Sequence, residues 1–417
     1  MGSTRPDQNQ TNPPPHGGFF TPIDRRNRMS SGAKVQLAWI KEATPGVTPA
    51  GNWNVLTRIS NGLMPTFNSE ENNEIGFTRM SQGTAQTTVD VGGDIETKWR
   101  YGALDEFMAS CFGSNWAANV LTMGDERITF SIASYATDIG VSAIARGVQV
   151  ATMNFDFPGD NEVTVTTTMA ARAWDDKGDD TSFIVGAQPE ASQRRYSFKD
   201  ISGLRINGVQ VGEDNACVDS FNLQFDNAVQ TQRCIGNGNP YPGNIIATTF
   251  TPSGSITISW SKMAYELWKA QKTNDAISLE FTVANADGGY KFLIPEMEVT
   301  ADWPDGSSTD IIQVELNYTA RRVAPTITRL PAPVVVTAVD VTPGALSLEV
   351  GDTADLEVVV TPAGASQQVA WTSSAPAVAS VSETGLVTAL TAGTTTITAT
   401  SAADGTKTDT CAVTVTA

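Results

Sequence analysis

The feature that most limits what this chain can fold into is a pattern that occurs twice along it. In the first half, a strand-like run ends at Trp99 and is followed by an amphipathic segment, residues 103–109. In the second half, a strand-like run ends at Trp260 and is followed by a similar segment, residues 263–269. Each half therefore predicts a strand that leads into one short helix, and a fixed order of elements found twice indicates an internal repeat.

Two further landmarks support the repeat. An aromatic residue followed by Pro and a Gly/Asp turn occurs at Phe157 and again at Trp303, which predicts a hairpin in each half. The alternating strands after these turns end at the dipeptides 171–172 and 320–321, both Ala-Arg. The separations between matched positions differ only by loop-sized amounts, so we predict one β unit written twice.

A long polar stretch precedes the predicted helix in each half. These stretches, residues 68–94 and 226–254, are flanked by strand-like runs. Long excursions inside a compact domain are usually functional, so we expect them to make contacts with other molecules.

Composition favours strands over helices. Hydrophobic residues make up 40% of the 417 residues and charged residues only 17%, with 35 Gly and 21 Pro. This length suggests two or three domains, and the abundance of turn-forming and β-branched residues predicts an all-β protein with few helices.

The charge balance argues against a DNA-gripping surface. The formal net charge is −18, whereas tight DNA binding depends on Lys and Arg neutralising phosphates. Any contact with nucleic acid is therefore expected to be repulsive overall.

The residue types that carry enzymatic or metal chemistry are sparse. The only histidine, His16, lies in a Pro/Gly-rich segment, so His-dependent acid/base chemistry has no positioned residue. The four cysteines show no C-x-x-C spacing, which argues against zinc, and the sequence leaves open whether Cys217 and Cys234 pair. We expect no catalytic residue, no cofactor and no metal site. An acidic loop at 175–180 and a Gly-rich loop at 236–243 lack the patterns of calcium and phosphate sites.

The two ends of the repeated region have distinct compositions. Residues 1–29 contain three consecutive prolines and many Gln and Asn, so we expect a flexible N-terminal arm. Residues 326–334 are Pro-rich and predict an extended linker. We recognise neither a secretory signal nor an apolar run long enough to span a membrane, so we expect synthesis in a cytoplasm and no membrane partner.

The C-terminal segment shows strict alternation in short runs separated by turn residues. Its characteristic runs are Val350-Gly-Asp-Thr353, Val369-Ala-Trp-Thr-Ser-Ser374, Val378-Ala-Ser-Val-Ser382, Gly385-Leu-Val-Thr-Ala389 and Ala392-Gly-Thr-Thr-Thr-Ile397. With these runs the segment resembles the bacterial Ig-like domain, group 2. The resemblance implies a β-sandwich at 335–417 that is displayed on a surface and binds cell surfaces or glycans weakly.

The remaining chain resembles the major tail tube protein of long flexible-tailed (siphovirus-type) bacteriophages. The resemblance is carried by the duplicated β unit with one helix and one long loop per copy, and by residues 147–157, the stretch most typical of such families. The fold class is then all-β: two duplicated tail-tube-type β-sandwich/barrel units, each with one short helix, plus a C-terminal Ig-like β-sandwich. The expected units are residues 30–190 and 191–325.

This resemblance implies a structural virion protein of the phage tail, synthesised in the cytoplasm of the host bacterium. Family tubes present six sheet units per ring, so two units per chain predict a homotrimeric, pseudo-hexameric ring that self-assembles with itself and stacks into a tube. The tape measure protein is expected inside the tube during assembly, and double-stranded DNA is expected to pass through without binding during ejection.

Candidate residues for these roles follow from their positions. Those expected in ring-stacking loops are Asn68, Glu70, Glu71, Glu74, Arg79, Asp226, Arg233 and Tyr241. Those expected on lumen strands are Asp90, Asp94, Glu96, Lys98, Thr249, Thr251, Ser255 and Thr257. Two other classes stay open from the sequence alone, a bacterial cell-surface adhesin and a carbohydrate-active protein with an Ig-like accessory module.

Overall fold

The computed structural model describes residues 31–72, 83–184, 186–190, 194–212, 215–235, 238–306, 311–332 and 334–417. The predicted arm, residues 1–29, lies outside this part of the chain. The described residues form two bodies with separate hydrophobic cores, one spanning Leu37 to Ile327 and the other spanning Val336 to Val415.

The first unit contains ten strands and one α-helix, preceded by a 3-10 turn at Gly32–Lys34. The elements are β1 (Val35–Lys41), β2 (Asn54–Leu56), β3 (Ser60–Asn61), β4 (Met64–Glu71), β5 (Thr84–Lys98), α1 (Asp105–Phe112), β6 (Val120–Leu121), β7 (Phe130–Ala136), β8 (Val141–Phe157), β9 (Thr164–Ala171) and β10 (Ala173–Gly178).

The second unit follows a 3-10 turn at Phe198–Asp200 and again contains ten strands and one α-helix. The elements are β11 (Ile201–Ile206), β12 (Val209–Gln210), β13 (Val218–Asp226), β14 (Gln230–Gln232), β15 (Asn244–Ile246), β16 (Thr251–Ser259), α2 (Lys262–Thr273), β17 (Ile277–Asn285), β18 (Gly288–Thr300), β19 (Gln313–Ala320) and β20 (Thr326–Pro331).

The two units have the same pairing order. In the first unit β4 pairs β5, β5 pairs β9, β9 pairs β8, and β8 also pairs β7 and β10, while β1 pairs β7 and β2. In the second unit β13 pairs β16, β16 pairs β19, β19 pairs β18, and β18 also pairs β17 and β20, while β11 pairs β17 and β12. Each unit therefore places one helix after the matching strand, β5 or β16, as the sequence predicts.

Alternation along the strands divides each unit into a polar face and a buried face. In β9, residues 165, 167, 169 and 171 are buried while the residues between them are half-exposed, as expected for a strand of period two. The helices are bounded by ordinary capping devices: α2 begins where the Ser261 side chain accepts a hydrogen bond from the Ala264 N–H, and α1 ends at a left-handed Gly113.

The two units share one continuous antiparallel sheet. The C-terminal part of β8 pairs with β13 from Thr152 opposite Asp226 to Phe157 opposite Phe221. The order across this eight-stranded sheet is β4, β5, β9, β8, β13, β16, β19 and the end of β18. We call it the long sheet.

The structure differs from the sequence expectation at the predicted linker. Residues Thr326–Pro331 form β20, which pairs with β18 and has a fully buried Ile327. The prolines that suggested a linker flank this strand, with Pro325 before it and Pro331 at its last position. Strand ends tolerate Pro because no ladder hydrogen bond is lost there, so Pro content alone was misleading.

The C-terminal body is a sandwich of short strands, as the sequence predicts. Its strands are β21 (Ala338–Thr342), β22 (Ala345–Glu349), β23 (Thr353–Asp355), β24 (Glu357–Thr361), β25 (Val369–Ser373), β26 (Ala379–Val381), β27 (Leu386–Ala389), β28 (Gly393–Ser401) and β29 (Thr408–Thr416). Trp371 is half-buried and packs against this core.

Two sequence questions are answered within the described residues. All four cysteines carry free thiols, with Cys217 and Cys234 exposed and Cys111 and Cys411 buried. In the same part of the chain, neither helix has the length and apolar character that crossing a membrane would require.

Candidate assembly surfaces

The seam between the two units is the best-defined contact surface in the chain. Along it, β8 and β13 pair over six residues each, and the rings of Phe157 and Phe221 stack with centroids 4.4 Å apart. Because β4 and β13 hold equivalent places in their units, this seam joins the last strand of one unit to the first strand of the next.

Above the seam, a hairpin of the second unit closes over the first helix. The Tyr290 ring, on β18, stacks on Trp99 with centroids 4.9 Å apart. Its hydroxyl accepts a hydrogen bond from the Gly102 N–H at 2.8 Å and donates to the Asp105 carboxylate. Arg329 completes the cluster with a 2.6 Å ion pair to Asp105.

Burial dominates the electrostatics of this cluster. Burial raises the pKa of Asp105, against the opposing effects of the Tyr290 hydroxyl and the Arg329 guanidinium. Burial also raises the pKa of Tyr290 well above its usual range, so the hydroxyl keeps its proton and acts as a donor. The contacts of the cluster, rather than its titration, connect the two units.

Among the described residues, the long sheet has an edge without a strand partner at each end, and exposed apolar side chains lie near both edges. At the β4 edge, Met64 and Phe67 have exposed fractions of 53% and 61%. Near the other edge, Trp303 follows β18 and Ile311 precedes β19, and their exposed fractions are 60% and 83%. Unpaired edges with large apolar side chains are sites of pairing with another chain.

One face of the long sheet is polar and contains most of the residues predicted to line a lumen. Asp90, Asp94, Glu96 and Lys98 on β5 and Thr251, Ser255 and Thr257 on β16 all lie on this face, opposite the buried positions of those strands. Thr249 is exposed and precedes β16, so it lies outside the strand.

Hydrogen bonds between side chains of neighbouring strands orient the polar residues of this face. Asp94 accepts from the Thr168 hydroxyl at 2.7 Å, and Asp90 accepts from the Asn68 amide at 2.8 Å. The Lys98 ammonium donates to Thr164 at 2.9 Å. Acidic residues continue across the face on the other strands, at Asp156, Asp226, Glu298 and Glu315.

The residues predicted in stacking loops fall into three groups. Asn68, Glu70 and Glu71 lie on β4, and Asp226 ends β13. Arg233 and Tyr241 lie in the excursion between β13 and β16 and contact the first unit: Arg233 pairs with Asp90, and the Tyr241 hydroxyl donates to the Trp174 carbonyl at 2.9 Å. Glu74 and Arg79 lie outside the described residues.

The sequence did not single out the residues that close the seam. Tyr290, Asp105 and Arg329 are far apart in sequence, and although Asp105 lies in the predicted helical segment 103–109, nothing in the sequence connects it with the other two. The sequence signal that pointed toward this cluster was Trp99, the aromatic residue at the end of the repeated strand, which stacks on Tyr290. Within the described residues, no cluster of His, Cys, Asp and Glu is arranged to hold a metal ion.

Comparison with known proteins separates the two bodies in the same way. A family model described as phage tail tube protein matches residues 32–320, and one described as bacterial Ig-like domain (group 2) matches residues 335–413. No curated protein matches the chain. Among solved structures, the bacterial integrin-binding protein invasin aligns over 91% of this chain and 79% of its own, at 10% identity and a TM-score of 0.14, which is too low to carry an argument.

Proposed function

The chain belongs to the phage tail tube protein family, with a bacterial Ig-like domain at its C-terminus, and we propose that three copies close into a ring whose stacked copies form the tail tube. Membership makes it a structural protein of the virion tail, in a family that is not one of enzymes. The closing of the ring, its stoichiometry and what passes through it are the proposal.

The observation that carries the proposal is the seam between β8 and β13. It joins two equivalent units by pairing strand edges, and it leaves the same two kinds of edge free at the ends of the long sheet. A contact between unlike surfaces repeats around an axis until it closes. The free end of β18 in one copy would pair with β4 of the next, as β8 pairs with β13.

The number of copies follows from the repeat. With six units to a ring, two units per chain need three chains, giving three seams inside chains and three between them. Closure would also remove both open edges, which otherwise promote uncontrolled aggregation.

The polar face of the long sheet would then line the channel. DNA carries about one negative charge per 1.7 Å, so binding in passage would require closely spaced cations. This face instead carries Asp90, Asp94, Glu96, Asp156 and other acids beside Lys98. We infer a lumen that first holds the tape measure protein and later lets DNA slide through during ejection.

The Ig-like domain would decorate the outside of the tail. Its core is separate from that of the tube units, which suits an appended module. Weak binding to glycans of the host cell surface is the role we propose for it.

Imaging and mass measurement of the purified chain test the ring. We expect annuli with a mass of three chains in negative-stain electron microscopy and mass photometry. Phe67→Glu places a charge at the open β4 edge and should reduce ring formation at least about tenfold, roughly 1.4 kcal/mol. Leu390→Glu, at an exposed position of the Ig-like domain, is the matched control and should leave rings intact. Isolated monomers of the unaltered chain at high concentration would refute the proposal.

A deletion separates stacking from ring closure. Removing residues 73–82, from the excursion between β4 and β5, should leave single rings but few tubes. Tubes of normal length from this variant would exclude the excursion from ring-to-ring stacking.

A further inference from the structure

Helix α2 and the residues around it carry an aromatic cluster that is covered much less than its counterpart in the first unit. Trp260, Tyr265, Trp268 and Trp303 contact one another, with Trp268 and Trp303 centroids 4.8 Å apart. We call this group the aromatic seat. We propose that it is the docking site for the β7–β8 hairpin of the next copy of this chain, an inference that rests on the proposed ring.

The repeat identifies what the aromatic seat corresponds to in the first unit. Trp260 follows β16 as Trp99 follows β5, and Gly254 and Gly93 lie six residues before them, opposite Tyr318 and Met169. Ring geometry agrees. Trp99 and Phe155 are 5.0 Å apart with planes at 71°, and Trp260 and Trp303 are 5.2 Å apart with planes at 71°.

The first-unit counterpart is fully covered. Trp99 has no exposed surface, because Tyr290 from the β17–β18 hairpin of the second unit stacks on it. Nearly every residue of α1 is buried, whereas α2 buries Ala264 and Leu267 and leaves its aromatic side chains half-exposed. The missing cover for α2 is therefore a hairpin equivalent to β17–β18.

Strand pairing identifies that hairpin as β7–β8. Val299 lies opposite Tyr318 in the second unit, and Val150 lies opposite Met169 in the first. Nine residues earlier on these strands stand Tyr290 and Val141. Each hairpin contains one register shift between the two positions compared, so Tyr290 and Val141 are equivalent residues.

The two equivalent positions differ in exposure. Tyr290 is fully buried inside the chain, whereas Val141 is 44% exposed, and Ile139 beside it is 43% exposed. A partly exposed apolar hairpin tip and a half-exposed aromatic seat thus lie on opposite units of the chain. With the β8–β13 seam formed, the hairpin tip and the aromatic seat of one copy cannot cover each other. The hairpin tip of one copy can instead cover the aromatic seat of the copy beside it.

The chemistry of the pair suits a dominant interface contact. Trp and Tyr are the residues that most often carry binding energy at the centre of an interface, where desolvation is complete. The aromatic seat lies beside the open edge at Thr300, so one docking event would cover the aromatics and pair the strand edges together. The contact joins unlike surfaces, as a closed ring requires.

Cross-linking tests the predicted neighbours. In a background of Cys217→Ser and Cys234→Ser, which removes the exposed thiols, Val141→Cys is combined with Tyr265→Cys and treated with a short bismaleimide. We expect products of two and three linked chains, with three as the ceiling. Val359→Cys in place of Val141→Cys, at an exposed valine of the Ig-like domain, should give none.

A charge substitution gives an independent measurement. Val141→Asp should weaken chain association at least about 30-fold, equivalent to roughly 2 kcal/mol, whereas Val359→Asp should leave it unchanged. If the unaltered chain forms rings, but the double-cysteine variant does not cross-link and Val141→Asp does not weaken association, this inference is overturned and the proposed function stands. Absence of rings from the unaltered chain would overturn both.

Discussion

A single tyrosine shows how the two tube units are held together. Tyr290 is buried between them, stacks on Trp99 and connects the Gly102 N–H to the Asp105 carboxylate. A buried polar group deprived of its partner costs about 1–3 kcal/mol, so this hydroxyl has a measurable effect on stability. Repetition in the sequence could identify Trp99, but the Asp105–Tyr290 contact joins residues 185 apart and follows only from the folded topology.

Tyr290→Phe is expected to lower the free energy of unfolding of the tube region by about 1–3 kcal/mol, because Asp105 and the Gly102 N–H lose a buried partner. Urea unfolding followed by tryptophan fluorescence measures this directly. Tyr135→Phe is the matched control, since Tyr135 is half-buried on β7 and has no side-chain hydrogen bond within the described residues. Equal effects from the two variants would contradict the role given to Tyr290.

At the scale of elements, the long sheet depends on close approach of neighbouring strands. Gly254 on β16 lies where an added Cβ would be 2.2 Å from the Asn222 carbonyl oxygen and 2.5 Å from the Tyr318 hydroxyl. That hydroxyl donates to the same carbonyl at 2.7 Å. The position therefore has no room for a side chain.

Gly254→Ala is expected to destabilise the tube region by about 1–3 kcal/mol or more, because the methyl group must displace Tyr318 or separate β13 from β16. Gly212→Ala is the control, since a Cβ there meets no atom of the described residues within 4 Å. Thermal unfolding compares the two variants. A melting temperature unchanged by Gly254→Ala would show that the strands adjust more freely than the structure indicates.

The sequence predicted the helices correctly where a repeated hydrophobic pattern indicated them. It failed at residues 326–334, where the prediction used Pro content alone. The helices expected at 103–109 and 263–269 are present as Asp105–Phe112 and Lys262–Thr273. The Pro-rich signal at 326–334 concealed β20. The aromatic landmarks were also aligned two residues out of step, since Trp303 packs on Trp260 with the geometry in which Phe155, not Phe157, packs on Trp99.

At the scale of the whole molecule, the Ig-like domain has its own core and is joined to the tube region through a short segment after β20. A core that shares no buried residue with its neighbour can fold by itself. A chain ending at residue 332 is therefore expected to form rings as readily as the full chain does, when both are compared by mass photometry and electron microscopy. Loss of rings on truncation would mean that the domain takes part in closure, contrary to the proposal.

The β8–β13 seam also bears on how quickly rings can appear. Two units linked in one polypeptide meet at an effective concentration set by the chain, independent of how much protein the cell contains. Half of the junctions in the proposed annulus would then exist as soon as each chain is folded. Assembling the ring would require two encounters in solution in place of five, so the nucleation rate should rise less steeply with protein concentration than for a tube built from single-unit subunits.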